Sequence, residues 1–244
     1  MVLLAQISDL HLDGTARASD RAARTVGYLR GLRQLPDAVL VTGDIADTAA
    51  RSEYTEAARL LDLPVPVLPA PGNHDRRPAY RAALLGEPPS DEPINRVHDV
   101  GDVSVLMCDS TIPGRDDGRL DAVTLSWIDT TLADRRDRPA LLAFHHPPTV
   151  LHHPLPDASR LGGASDLAAL LGRHPQVVAL ITGHAHTAAA TVFAGRPVIV
   201  GPAVTWTLRM PWEGSEVADR QQPPGIAFHV VTDRTLVTHF RAVT

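Results

Sequence analysis

The chain has little cysteine, no long apolar run and no excess of basic residues, and each absence excludes a class of protein. Cys108 is the single cysteine among 244 residues, so no intrachain disulfide can form, which fits a reducing compartment. No apolar run approaches the roughly 20 residues of a membrane-spanning helix. The segment Met1–Ile7 lacks the basic residues and the length of a signal peptide. We therefore expect a cytoplasmic protein without membrane insertion.

Charge and composition narrow the class further. The net charge of −5 at pH 7 gives no support for binding a nucleic acid polymer or an anionic membrane. A hydrophobic fraction of 44% and a charged fraction of 21% are typical of a globular protein. The chain has no internal repeat and no low-complexity linker, and its candidate site residues extend from residue 9 to residue 186. A domain boundary there would divide the site, so we predict a single domain over residues 1–244.

Short apolar runs alternate with helical patterns along most of the chain, which indicates an α/β fold. Strands are predicted at Val2–Ile7, Asp37–Thr42, Val65–Leu68, Val103–Asp109, Ala140–Phe144 and Val177–Thr182. Helices are predicted at Asp20–Gln34, Ser52–Leu61, Pro78–Leu85, Asp121–Asp134 and Leu167–Gly172. The last part of the chain predicts antiparallel strands joined by tight turns at Ala189–Phe193, Pro197–Val200, Ile226–Val231 and Thr235–Arg241.

Polar motifs follow the apolar runs, at the points where the predicted strands end. Ligand sites of α/β sheets lie at such strand ends. The motifs are Asp9-x-His11, Gly43-Asp44, Gly72-Asn73-His74-Asp75, His145-His146-Pro147 and Gly183-His184-x-His186. They supply carboxylates, one amide and several imidazoles, a mixture that suits a pair of first-row divalent ions.

The spacing within the motifs explains how such ions would be held. Asp9 and His11 are two residues apart, so on an extended backbone they point the same way and can bind one ion. Asp44 has two carboxylate oxygens and can bridge two ions, and Asn73 offers a neutral oxygen to a hard cation. Mn, Fe, Zn and Co all accept these ligands. Two ions roughly 3.5–4 Å apart would lower the pKa of a water between them, and the resulting hydroxide could attack phosphorus in line.

In this order, the motifs resemble those of the calcineurin-like metallophosphoesterase family: D-x-H, G-D, G-N-H-[DE], a histidine before proline, and G-H-x-H. The most similar branch comprises bacterial class III cyclic nucleotide phosphodiesterases and related glycerophosphodiesterases. Three further stretches share this similarity: Gly43–Asp47, Asp109–Leu120 ahead of the predicted helix with Trp127, and Phe144–Pro148. The resemblance covers about four-fifths of the chain, from residue 3 to roughly residue 205.

The resemblance implies a four-layer α/β/β/α sandwich of two mixed β-sheets flanked by helices. It also implies one metal bound by Asp9, His11 and His186, a second bound by Asn73, His145 and His184, and Asp44 as the bridge between them. His74 would not bind metal but would contact the scissile phosphate and stabilise or protonate the leaving oxygen, which makes it the candidate catalytic residue. The candidate substrate-binding residues are Asn73, His74 and His186. Asp75 would orient His74 or its loop.

Residues outside the candidate ligand set can be interpreted either as parts of the site or as structural residues. The position three residues after the bridging aspartate carries a tyrosine ligand in the related purple acid phosphatases, but here it is Asp47, so an iron–tyrosinate site is not expected. For His146 we favour packing or orientation of a ligand over a substrate contact, and for His152 and His153 a solvated loop. Pocket lining, a dimer contact and simple packing stay open for Trp206, Arg209 and Trp212.

The leading hypothesis is a phosphodiesterase with two divalent metal ions that hydrolyses a small phosphodiester, with a 3′,5′-cyclic nucleotide such as cyclic AMP as the best guess from the resemblance. The alternatives are a glycerophosphodiesterase and a broad-specificity phosphatase, which share the same core residues. A non-catalytic binding module on the same fold is disfavoured because the full ligand set and His74 are present. A nuclease is disfavoured because the acidic chain lacks a basic track. The oligomeric state stays open, including a homodimer.

Overall fold

The computed structural model describes all residues from 1 to 244, and strands alternate with helices along most of the chain. The strands are β1 (Val2–Ile7), β2 (Ala38–Thr42), β3 (Val67–Ala70), β4 (Arg96–Val100), β5 (Val103–Met107), β6 (Gly118–Arg119), β7 (Ala140–Ala143), β8 (Leu161–Gly162), β9 (Val177–Thr182), β10 (Ala189–Phe193), β11 (Arg196–Val200), β12 (Thr207–Leu208), β13 (Ala218–Asp219), β14 (Gly225–Thr232) and β15 (Thr235–Ala242). The helices are α1 (Ala16–Arg30), α2 (Arg51–Leu60), α3 (Arg77–Tyr80), α4 (Ala122–Ala133), α5 (Pro154–Ala158) and α6 (Ala164–Arg173), and a π-helical turn at Arg81–Leu85 continues α3.

Two large sheets contain most of the strands. The first sheet has the order β15-β14-β1-β2-β3, in which β1, β2 and β3 are parallel and β14 and β15 are antiparallel to their neighbours. The second sheet has the order β10-β11-β9-β7-β5-β4, in which the four inner strands are parallel and the outer two antiparallel. Both sheets are mixed, as the resemblance implies.

Apolar side chains fill the spaces between four layers. In β2, Ala38 and Leu40 face the second sheet, whereas Val39 and Val41 pack with residues of α1 and α2. Strand β7 alternates in the same way, between the first sheet and the helices α4 and α6. Because both faces of these strands are buried, their sequences are continuous apolar runs instead of alternating ones. The layer order is α/β/β/α, which confirms the predicted fold class.

The elements that differ from the sequence predictions have local physical causes. Helix α1 begins four residues earlier than predicted, because the Thr15 hydroxyl accepts a hydrogen bond from the backbone N–H of Ala18 and caps the helix. Strand β4 was not predicted, since it is a half-exposed edge strand with Arg96, His98 and Asp99 in place of an apolar run. The short helix α5 was also missed. It begins at Pro154, where the fixed φ of proline suits a first helical turn.

The parallel strands of both sheets end at one edge of the molecule. The loops after β1, β2 and β3 carry Asp9, Asp44 and Asn73, and the loops after β7 and β9 carry His145 and His184. The edges of the two sheets are tied together, because the Gln6 side chain donates to the Thr182 carbonyl at 2.8 Å. This arrangement brings all five motifs together. None of the helices combines the length and the hydrophobicity that a membrane-spanning segment requires.

Candidate metal centre and active site

The loops that carry the motifs have an unusual backbone. Asp9, His11, Asp44, His184 and His186 all have positive φ, between 43° and 68°. Residues other than glycine adopt this region rarely, although Asp and His do so more often than most, and each instance costs of order 1–3 kcal/mol. Such conformations persist only where the surrounding structure holds them, and they cluster at functional sites.

The first group of donor atoms comes from Asp9, His11, Asp44 and His186, all buried and within 4.8 Å of one another. The Nε2 atoms of His11 and His186 lie 3.1 Å apart. His11 Nε2 lies 3.4 Å from an Asp44 carboxylate oxygen, and His186 Nε2 lies 3.4 Å from an Asp9 oxygen. We call this group subsite 1. It contains the three side chains that the resemblance assigns to one metal, together with the proposed bridge.

The second group, subsite 2, comprises Asn73, His145 and His184. The Asn73 side-chain oxygen lies 3.1 Å from His145 Nε2 and 3.1 Å from His184 Nδ1, and these two nitrogens are 3.2 Å apart. Asp44 Oδ2 lies 3.3 Å from His145 Nε2, and the same oxygen faces His11 of subsite 1. Asp44 therefore lies between the two subsites, where a bridging carboxylate would have to be.

The electrostatics of these side chains show why a cation fits among them. Burial alone would raise the pKa of Asp44, but His145 and His11 outweigh it and hold this pKa well below its usual value. Burial opposes charge on His145 as well, yet Asp44 raises its pKa to about 9. By contrast, burial lowers the pKa of His184 to about 3, with a further contribution from His145. Buried carboxylate, imidazole and amide oxygen are together a donor set that first-row divalent ions accept.

Each imidazole of the two subsites is fixed through its other nitrogen. His145 Nδ1 donates to the Thr42 carbonyl at 2.7 Å, and His186 Nδ1 donates to the Trp206 carbonyl at 3.2 Å. Such bonds set the tautomer and the ring orientation, and leave the opposite nitrogen free for a metal.

The remaining two histidines use side-chain partners that sequence reasoning missed. His11 Nδ1 donates to the Asp47 carboxylate at 2.9 Å, and His184 Nε2 donates to the Ser159 hydroxyl at 2.9 Å. The position of Asp47, three residues after Asp44, could have indicated its contact with His11. Nothing in the sequence around Ser159 predicts its contact with His184, because the tertiary packing of α5 brings the two residues together.

His74 lies beside the subsites. Its ring centroid is 4.5 Å from that of His11, and its backbone N–H donates to Asp44 at 2.9 Å. Its Nδ1 donates to the Asp47 carbonyl at 2.7 Å, so Nε2 is the nitrogen left for a ligand. The side chain is 39% exposed, whereas Asp9, His11, Asp44, His145 and His186 are buried. These observations fit a residue that contacts substrate.

Asp75 does not contact His74 but holds the loops in place. Its carboxylate accepts hydrogen bonds from the backbone N–H groups of Ile45, Ala46 and Gly72. Burial raises its pKa to about 6, with a contribution from the negative charge of Asp44. Of the two roles expected for Asp75, the structure supports orientation of the loop.

A cavity of about 830 Å³ opens over the two subsites. Its lining includes Arg115, Asp116 and Asp117 from one loop and Leu155, Pro156 and Ser159 from the α5 segment, together with Trp206 and Leu208. In contrast to Trp206, Trp212 is 74% exposed and does not line the cavity. Arg209 forms an ion pair with Asp219 at 2.7 Å. The three residues left open by sequence reasoning therefore have three different environments.

Two further histidines near His145 in the sequence, His146 and His153, are buried and make structural hydrogen bonds. His146 is buried, with Nδ1 hydrogen-bonded to Ser110 at 2.8 Å and Nε2 to the Asp116 carbonyl at 3.1 Å. This arrangement fits the packing role favoured for His146. His153 is buried too and caps α5 by accepting from the Leu155 N–H, so the expectation of a solvated loop residue is wrong there. His152 is not part of the cavity lining.

The profile of the calcineurin-like phosphoesterase family matches residues 2–188, which include all five motifs. The chain belongs to this family. The motif-based resemblance is thereby confirmed. Calcineurin-like phosphoesterases use divalent metals, and the buried aspartates and histidines of this chain fit that use.

Curated relatives and solved structures agree with this membership. A probable cyclic nucleotide phosphodiesterase of Rhodococcus erythropolis is 31% identical over 245 residues, which cover 96% of this chain and 81% of that protein. A glycerophosphodiester phosphodiesterase, GpdQ, of Enterobacter lignolyticus is 31% identical over 240 residues, covering 93% and 86%. A dimetal phosphatase of Danio rerio has a TM-score of 0.77 at 15% identity and covers 100% of this chain and 96% of its own, which supports the fold.

Proposed function

We propose that this phosphoric diester hydrolase holds two divalent ions and hydrolyses 3′,5′-cyclic nucleotides. The observation that carries the proposal is the position of Asp44, whose carboxylate lies within 3.4 Å of His11 in subsite 1 and of His145 in subsite 2. Seven donor side chains thus form two adjacent groups that share one carboxylate. His74 lies next to both groups without being part of either.

Each residue would have a distinct task in the reaction. One ion would be held by Asp9, His11 and His186, the other by Asn73, His145 and His184, and both by Asp44. Two divalent metal ions held in this way would activate a water molecule and neutralise negative charge on the phosphoryl oxygens. As an imidazolium, His74 would bind the phosphate and transfer the proton on Nε2 to the leaving oxygen, while the Nδ1–H stays hydrogen-bonded to the Asp47 carbonyl. Mn, Fe, Zn and Co all remain suitable for this donor set.

The charges around the cavity support a diester over a monoester. Asp47, Asp116 and Asp117 line it, whereas Arg115 is the only lysine or arginine in the lining and is already paired with Asp117. Carboxylates in the lining of the cavity would disfavour the second negative charge of a monoester. A diester carries a single negative charge and meets less repulsion.

A glycerophosphodiester is the second candidate substrate. The glycerophosphodiesterase relative is as similar to this chain as the cyclic nucleotide phosphodiesterase relative, at 31% identity each. We propose that the reaction takes place in the cytoplasm, since the single cysteine fits a reducing compartment. No partner beyond the small phosphodiester is required by the site.

A turnover panel tests the proposal. The purified protein is supplied with Mn²⁺ and assayed with cyclic AMP, 2′,3′-cyclic AMP, glycerophosphocholine, bis-p-nitrophenyl phosphate and p-nitrophenyl phosphate. We expect cyclic AMP to give the highest kcat/KM of the three natural diesters, and bis-p-nitrophenyl phosphate to exceed p-nitrophenyl phosphate. Faster turnover of p-nitrophenyl phosphate under matched conditions would contradict the phosphodiesterase assignment. A preference for glycerophosphocholine would replace the cyclic nucleotide by the second candidate.

A further inference from the structure

Trp206 contributes an aromatic surface to the cavity above the metal subsites. It is the only tryptophan, tyrosine or phenylalanine in the cavity lining. Its ring centroid lies 4.0 Å from that of His186, with the two rings tilted by 37°. Trp206 is half-buried, packs on a metal-ligand candidate and lines the cavity.

Trp206 lies on the side of the cavity where His74 would contact the leaving group. The ring centroid of His186 lies 5.0 Å from that of His11, which in turn lies 4.5 Å from that of His74. Trp206 and His74 therefore both adjoin subsite 1. A group attached to the oxygen that His74 protonates would lie within reach of this side of the cavity, where Trp206 and Leu208 supply the apolar surface.

The segment that carries Trp206 is held in place by hydrogen bonds on both sides of the tryptophan. The Thr205 N–H donates to the Asp9 carbonyl at 3.0 Å, and the Leu208 N–H donates to the His186 carbonyl at 2.9 Å. Arg17 of α1 donates to the Thr205 carbonyl at 3.0 Å. With its backbone held in this way and its ring packed on His186, Trp206 offers a preformed surface, and a ligand that stacks on it would lose little free energy in ordering it.

We propose that Trp206 is a specificity-determining residue that stacks on the base of a nucleotide bound at the metal centre. This inference rests on the proposed function and gives it a reason to favour cyclic nucleotides over glycerophosphodiesters, because a glycerol moiety has no planar face to stack. Base stacking on an aromatic side chain depends on the π-face that every base has, so the surface would accept adenine and guanine alike.

Binding of reaction products tests the assignment without catalysis. The Zn²⁺-loaded protein is titrated calorimetrically with 5′-AMP and with ribose 5-phosphate, which carries the same phosphate but no base, and tryptophan emission is recorded in parallel. In Trp206→Leu we expect 5′-AMP to bind about 5- to 150-fold more weakly, the loss that one stacked base gives, and ribose 5-phosphate to bind as before. Quenching of emission by 5′-AMP should disappear in this variant.

Two further variants serve as controls. Trp206→Phe keeps an aromatic face and should recover most of the affinity for 5′-AMP, whereas Trp212→Leu removes an exposed tryptophan outside the cavity and should change nothing. Unchanged 5′-AMP affinity in Trp206→Leu, or an equal loss for ribose 5-phosphate, would overturn the assignment.

Steady-state kinetics of the wild type and of Trp206→Leu distinguish a failure of this inference from a failure of the proposed function. With Mn²⁺, Trp206→Leu should raise the ratio of KM for cyclic AMP to KM for glycerophosphocholine by a similar factor. A wild-type protein that retains its metals but does not hydrolyse cyclic AMP contradicts the proposed function. The calorimetric comparison of 5′-AMP with ribose 5-phosphate still decides the role of Trp206 in that case.

Discussion

At the scale of single residues, Asp44 is the side chain on which both subsites depend. One of its oxygens faces His11 and His145, and the other accepts the backbone N–H of His74 at 2.9 Å. The same carboxylate thus connects both groups of donors to the loop of the candidate catalytic residue. Removing it should affect metal binding and substrate positioning together, whereas removing His74 should leave the metals in place and affect only the binding and reaction of the substrate.

Asp44→Ala should lose both metal ions, or one ion and nearly all activity. The physical reason is that neighbouring imidazoles cannot replace a shared carboxylate, whose negative charge offsets the charge of both cations. Metal analysis of the purified variant, together with kcat for bis-p-nitrophenyl phosphate, measures the effect. Asp117→Ala, which alters a carboxylate of the cavity lining outside the subsites, is the matched control and should retain its metals. Two ions per chain with normal turnover in Asp44→Ala would rule out the bridge.

His74→Ala should keep its metal content and lose about 10²–10⁴ in rate on cyclic AMP, the usual cost of one well-placed acid. The loss should be smaller on bis-p-nitrophenyl phosphate, because p-nitrophenolate leaves without a proton. The ratio of the two losses is the measurement. Equal losses would indicate phosphate binding without proton donation, and loss of metal would remove His74 from the catalytic role.

At the scale of elements, the site depends on tight turns between strand ends. Gly43 has φ of +95°, and a Cβ there would collide with the His145 ring. Gly72 lies directly beside Asp44, and a Cβ at this position would overlap the carboxylate and the backbone nitrogen of that residue. The loops after β2 and β3 can therefore approach each other only because these positions have no side chain.

Gly72→Ala should push the loop after β3 away from Asp44, lower the metal content and reduce kcat by at least about tenfold, since even small displacements of a metal ligand are costly. Gly172→Ala is the control, because Gly172 is an exposed helical position where an added Cβ would have no other atom within 4 Å. That substitution should leave metal content unchanged and raise helix stability slightly. Metal content and thermal unfolding of both variants give the comparison. Normal metal content in Gly72→Ala would show that the loops can separate without disturbing Asp44.

The sequence predicts the grouping of the candidate ligand residues better than it predicts the boundaries of the helices and loops that support them. The ligand candidates follow apolar runs at fixed spacings, so Asp9, Asp44 and His145 could be assigned to neighbouring strand ends before their distances were known. Ser159 could not, because its contact with His184 depends on where α5 packs, and five residues that begin with proline give no periodic signal. Boundaries such as the start of α1 depend on one capping hydrogen bond, which a pattern of apolar residues does not contain.

At the scale of the whole molecule, the two sheets meet around a buried polar network as well as an apolar layer. His229 of β14 is completely buried, and its Nε2 donates to the Gln6 side-chain oxygen at 3.1 Å. The His229 Nδ1 atom lies 2.9 Å from the Thr238 hydroxyl. The Gln6 side-chain amide in turn donates hydrogen bonds to the Thr42 hydroxyl and the Thr182 carbonyl. Burial lowers the pKa of His229 to about 3, so the folded protein keeps this ring neutral. The network therefore links the pH of the solution to the stability of the entire fold.

The unfolded chain binds a proton at His229 below about pH 6.5, whereas the folded chain does not, so this residue makes stability fall as the pH falls. Between pH 7.5 and pH 5 it should cost about 2 kcal/mol of unfolding free energy. Urea unfolding of the wild type and of His229→Gln, both in EDTA to remove any effect of metal release, measures the difference. The other titrating groups contribute equally to both proteins, so the wild type should lose more stability than the variant over this interval. Equal losses would mean that His229 takes up its proton within the folded protein.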